Sequence, residues 1–167
     1  MDVQHLIEKL GLTLLPREGG YFAETYRSDE TISAPSLPPR YSRDKPFATA
    51  IYYLLTPDTF SAMHRLISDE VFHFYAGDPV EMLHLRPDGA HTVLMLGSDI
   101  EAGHTPQVVV PRRTWQGYRI IDGGKFALLG TTVSPGFDRA DYEHGDRDEL
   151  TRKYPDCADL IKALTRA

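Results

Sequence analysis

The sequence predicts an all-β domain, a sandwich or barrel with short helices only near its two ends. Three observations carry this. Between Phe47 and Val133, β-branched and aromatic runs alternate with turn signals. About eight such runs recur at roughly 8–12-residue spacing, the rhythm of an all-β sandwich or barrel. Helical periodicity is confined to the first residues and the tail.

The elements follow in order. Residues 2–11 form a short helix: Asp2 can cap it, Val3, Leu6, Ile7 and Leu10 fall at helical spacing, and Gly11 ends it. Pro16 and the pair Gly19-Gly20 break the chain, and Gly20 suits an unusual backbone angle in a loop that can close a barrel mouth. Tyr21–Arg27 (YFAETYR) suits a strand. Residues 29–46 hold Pro35, Pro38, Pro39 and Pro46 and form a long surface loop.

A barrel core over 47–135 follows. Its expected strands are Thr49–Leu55, Phe60–Leu66, Glu70–Tyr75, Val80–Arg86, His91–Leu96, Gln107–Val110, Trp115–Ile121 and Phe126–Val133. AIYYLL and FALLG are apolar on both faces, so each needs cover outside as well as inside the barrel. The stretch 138–148 is acidic, and a helical tail occupies 147–165, with Pro155 in the first turn of the last helix. No repeat or linker divides residues 1–167, which are expected to form one domain.

Composition narrows the function. Eighteen Lys+Arg against 24 Asp+Glu give a formal net charge of −6, which argues against a nucleic-acid surface. No apolar run approaches the roughly 20 residues a bilayer demands. The one cysteine, Cys157, cannot form an internal disulfide, which fits a cytoplasmic protein, and no base accompanies it to make a nucleophile.

The densest polar cluster is His64, Glu70 and His73 within HRLISDEVFHFYAG. Alternation puts Glu70, Phe72 and Phe74 on one strand face and His73 on the other. A tight turn at Ser68-Asp69 would set His64 and Glu70 on neighbouring strands, both facing inward. His84, His91, His104 and His144 are scattered and expected on the surface. Arg112 and Arg113 could meet an anion at the rim.

HRLISDEVFHFYAG resembles the first cupin motif: His64 matches its first histidine, Glu70 its glutamate and Gly77 its glycine, while Leu66 replaces the second histidine. PRRTWQ is similar to a degenerate second motif, with Pro111 matching, Arg113 in place of glycine and Gln116 in place of histidine. REGGYFAETYRS, HRLISDEVFHFYAGDP and TTVSPGFD resemble the cupin branch called DUF985, or Cupin_5. The resemblance implies a double-stranded β-helix, the cupin jelly-roll barrel. It also implies a homodimer, with YFAETYR and AIYYLL as candidate interface strands.

The resemblance sets the site expectations. His64, Glu70 and Gln116 should converge in the barrel with Phe72, Phe74 and Trp115 around them; Phe60 and Met63 could extend an apolar lining. No cofactor is expected, and no metal: a transition metal would have only His64, Glu70 and the weak ligand Gln116. Cupin-fold epimerases imply one function, a metal-independent sugar epimerase or isomerase. There His64 would act as base, Glu70 would orient it, and Tyr21 or Tyr26 would serve as acid. A non-enzymatic small-molecule binder is a second reading, and a metal-dependent dioxygenase or isomerase a third. The partner in each case is a small molecule, a sugar or another polar metabolite, with no nucleic acid or membrane.

Overall fold

A computed structural model describes residues 2–166. Helix α1 spans Val3–Leu10, capped by the Asp2 carboxylate and ended by Gly11 at φ 63°. The strands are β1 (Thr13–Leu14), β2 (Tyr21–Arg27), β3 (Thr31–Ile32), β4 (Lys45–Pro46), β5 (Thr49–Leu55), β6 (Ser61–Leu66), β7 (Glu70–Gly77), β8 (Val80–Leu85), β9 (His91–Leu96), β10 (Gln107–Val110), β11 (Trp115–Ile120), β12 (Ala127–Val133) and β13 (Tyr142–His144). Helices α2 (Arg147–Lys153) and α3 (Ala158–Ala163) close the chain, with Pro155–Cys157 forming a single 3-10 turn before α3.

The strands make a six-stranded sheet, β1-β2-β5-β12-β7-β10, and a five-stranded sheet, β13-β6-β11-β8-β9. They pack as a jelly roll around a core that draws Tyr53, Phe72, Ala127 and Leu129 from the first sheet and Val80, Met82, Tyr118 and Ile120 from the second. Alternation sends the intervening side chains outward. α1 covers one outer face, where Leu6 and Leu12 bury Leu54 beside Tyr52 and Leu128. This is the cover that AIYYLL and FALLG require. The C-terminal helices cover the other sheet, with Leu150, Tyr154, Ile161 and Leu164 over Met63, Leu83, Leu85 and Trp115.

The 29–46 loop is pinned. β3 and β4 pair at its ends, the Asp44 carboxylate accepts from the Ala34 amide at 2.8 Å, and the Tyr41 hydroxyl meets Ser68 at 3.0 Å. Lys45, 1% exposed, is paired with Asp141, 6% exposed, at 2.5 Å. That buried ion pair fastens the loop to the segment leading into β13. The acidic stretch 138–148 contributes β13, which pairs with β6 and places His144 opposite His64.

Candidate functional site

A cavity of about 860 Å³ opens at one end of the barrel, lined by His64, Glu70, Tyr118 and Tyr142 among polar groups and by Leu15, Phe22, Ile51, Leu66, Val133 and Phe137 among apolar ones. It exists because the core fills only the other end. There Phe72 and Tyr53 each pack edge-on to Tyr118, at 5.2 and 5.5 Å between ring centres.

His64 and Glu70 both face inward, but not from neighbouring strands. The Ser68-Asp69 turn carries the chain from one sheet to the other, so β6 and β7 lie on opposite walls. Asp69 braces that turn by accepting from the Arg112 amide at 2.7 Å. Gln116 pairs with His64 across the five-stranded sheet, and its side-chain amide donates to Glu70 Oε2 at 2.7 Å. This bond spans the barrel. Gln116 is buried behind the cavity wall, and its Oε1 has no partner among the described residues.

Glu70 does not orient His64, as the sequence reading supposed. The His64 ring is held at Nδ1, 2.7 Å from the Ala62 carbonyl, and by stacking on Tyr142 at 5.2 Å. A carbonyl can only accept, so Nδ1 carries the proton and Nε2 of the neutral ring is left as a base. No described residue bonds to Nε2. Burial pushes the Glu70 carboxyl above its ordinary range, against the opposing pull of His64, Gln116 and Thr131. Burial likewise holds the Tyr118 and Tyr142 phenols above theirs, so both remain hydrogen-bond donors at neutral pH.

Several expected site residues lie elsewhere. Trp115 alternates with Gln116 and faces the C-terminal helices, where Arg65 lies 4.3 Å over its ring. Met63 and Phe60 join the same outer cluster. Phe72 and Phe74 do point inward, as alternation requires, but pack into the filled end of the barrel. Tyr21 packs beneath α1. Tyr26 is exposed, because a register shift between Glu24 and Tyr26 turns Arg27 inward in its place. Arg112 and Arg113 do not line the cavity; Arg17, Arg27 and Arg139 do. His84 is buried rather than on the surface, and burial together with Arg86 lowers its pKa to about 4.

Sequence reasoning missed Tyr118, Tyr142, Arg17 and Arg139. Tyr118 was within reach, since it shares the inward face of β11 with Gln116 two residues away. Arg17 precedes Gly19-Gly20, which fold the 15–20 loop across the barrel mouth. Gly20 adopts φ +70° and a Cβ there would strike the Tyr53 ring at 2.7 Å, so a larger residue would lift the loop off.

The donor set does not suit a tightly held transition metal. His64 and Glu70 are the strong donors at the floor, Leu66 stands where a second imidazole would be needed, and no three His, Cys, Asp or Glu side chains converge among the described residues.

A jelly roll with a polar-floored cavity at one end defines a cupin barrel. The chain belongs to the Cupin_5 family of the cupin superfamily (DUF985), which matches residues 4–145. It is 31% identical over 135 residues to the uncharacterized protein YML079W of Saccharomyces cerevisiae, covering 75% of this chain and 67% of that one. Among solved structures it is similar to protein SO0799 of Shewanella oneidensis, with 31% identity, a TM-score of 0.87 and coverage of 99% of this chain and 98% of that one. A hypothetical protein from Leishmania major gives 28% identity and a TM-score of 0.87, with both chains fully covered. Oxalate decarboxylase of Bacillus subtilis, at 12% identity and a TM-score of 0.55, covers 92% of this chain and 37% of that one and shares the fold alone. Among the described residues, no helix is long and apolar enough to cross a membrane.

Proposed function

We propose that the barrel cavity binds a small organic metabolite and carries out metal-independent proton transfer on it, the chemistry of an isomerase or epimerase. One observation carries the reading: the Nδ1 proton of His64 is committed to the Ala62 carbonyl, which leaves Nε2 as a base in a barrel cavity that has an apolar wall. An imidazole is suited to abstract a proton beside a carbonyl at neutral pH. Tyr118, also on the cavity wall, is the phenol available to return a proton, in the role the sequence reading assigned to Tyr21 or Tyr26. A non-enzymatic binder would need the same cavity and apolar wall but no free base.

The two are separated by incubating the protein in D2O with a small-molecule extract and reading deuterium incorporation by mass spectrometry. Incorporation that is lost in His64→Gln and kept in His73→Ala supports proton transfer. His73 lies on the outer face, beside Gln107 and Thr132. A retained metabolite with no exchange supports simple binding.

We also propose a homodimer. Beyond α1, the outer face of the six-stranded sheet exposes Tyr26 at 54%, Tyr75 at 52% and Val109 at 54%, an apolar stripe that suits a second copy better than water.

A further inference from the structure

We propose that the cavity selects an organic anion, a carboxylate or a phosphate ester with an apolar body, and that Arg17 and Arg139 hold its charge; this rests on the cavity being the ligand site. Three arginines line the cavity. Arg27 is committed, since its Nε and Nη2 form a two-pronged pair with Glu24 at 3.0 and 2.8 Å. Arg17 and Arg139 have no carboxylate or other side-chain partner among the described residues.

Both stand on fixed backbone. Arg17 adopts φ 69°, a conformation costly for a residue with a side chain. Its carbonyl accepts from Arg166 Nε at 3.1 Å, and the next carbonyl, that of Glu18, accepts from Arg166 Nη2 at 3.3 Å. Arg139 opens a 3-10 turn that Asp138 caps through the Ala140 amide at 2.8 Å, and the turn ends on Asp141, anchored in the buried pair with Lys45. Two separate loops thus each bring to the lining of one cavity an arginine that is exposed and has no side-chain partner among the described residues, and a guanidinium fork matches carboxylate and phosphate oxygens.

None of the cavity's own carboxylates forms an ion pair with Arg17 or Arg139 among the described residues. Glu24 is taken by Arg27. Glu18 accepts from Ser61 at 3.0 Å and makes no ion pair with Arg17. Glu70 lies at the floor, bonded to Gln116. Phe22, Ile51, Leu66, Val133 and Phe137 supply the wall for the body of the ligand.

Two dyes with one ring system make the test: 1-anilinonaphthalene-8-sulfonate, an anion, and N-phenyl-1-naphthylamine, which is neutral. Arg17→Gln and Arg139→Gln should each weaken the sulfonate about tenfold, as loss of a charge-assisted hydrogen bond does, and leave the neutral dye unchanged. Leu66→Trp, or Val133→Phe should the first not fold, should abolish both. Competition against the bound sulfonate by benzoate and by phenyl phosphate then tells which headgroup the arginines accept. The anion inference is overturned if the double arginine variant binds the sulfonate within twofold of wild type, or if both dyes weaken equally. Full binding of both dyes to a folded cavity-filling variant overturns the cavity reading itself.

Discussion

Lys45→Met should unfasten the 29–46 loop from the segment that brings Arg139 and Tyr142 to the cavity. The Lys45–Asp141 pair is 2.5 Å long and both side chains are buried. At that distance, with an effective dielectric near 20, the attraction is about 7 kcal/mol, and much of it is offset by the several kcal/mol needed to desolvate each ion. Removing the lysine keeps the desolvation cost of Asp141 and discards what balanced it. Breaking one side of such a pair costs about 3–5 kcal/mol, which lowers Tm by on the order of 10 °C in a domain of this size. Urea unfolding of wild type, Lys45→Met, Asp141→Leu and the double variant measures it. The double variant should recover most of the loss, since two apolar side chains strand no charge. Because Tyr142 follows Asp141 directly, Lys45→Met should also weaken dye binding well below its unfolding temperature. A loss below about 1 kcal/mol, the value of an exposed pair, would refute the reasoning.

Further outcomes follow from the same geometry. The carboxyl of Glu70 titrates higher folded than unfolded, where its ordinary value is 4.5, so the folded state holds the proton longer and wild type loses stability as pH rises from about 4.5 through the folded value. Glu70→Gln should therefore gain on wild type over that rise, and parallel urea midpoints across it would contradict the burial argument. Elemental analysis of purified protein should find no stoichiometric transition metal; one per chain, lost in His64→Ala, would show that His64, Glu70 and Gln116 suffice as ligands. Sedimentation at micromolar concentration should show a dimer that Tyr75→Glu separates, and a monomer in wild type would remove the proposed role of the outer stripe.

Much of the architecture was legible because it rests on local rules. Alternation along β7 placed Glu70, Phe72 and Phe74 inward and His73 outward, and the structure agrees on each. The same rule separates the neighbours Trp115 and Gln116, so the expectation that both face the ligand fails for Trp115, which joins the outer cluster. Errors arose where sheet assignment mattered. A turn of two residues looks the same whether it joins neighbours in one sheet or crosses between sheets, so His64 and Glu70 were expected side by side and in fact face each other. The register shift in β2 inverted the expected orientation of Tyr26, since one extra residue in a period of two exchanges the faces. Arg17 and Tyr142 escaped notice because no local periodicity ties a mouth loop or a late edge strand to the barrel floor.

By itself the sequence determined the β-rich class, the family, the helices at the ends, and the absence of a metal-ligand set at the motif positions. These depend on residue type and on spacings of two or 3.6, which act over a few neighbours. Tertiary structure alone decided which end of the barrel is filled and which is open, and that the Ala62 carbonyl, not Glu70, sets the tautomer of His64. It also decided that the arginines facing the cavity come from residues 17, 27 and 139. Those outcomes depend on packing among side chains far apart in the chain, where volume and register, rather than local preference, fix which atoms meet.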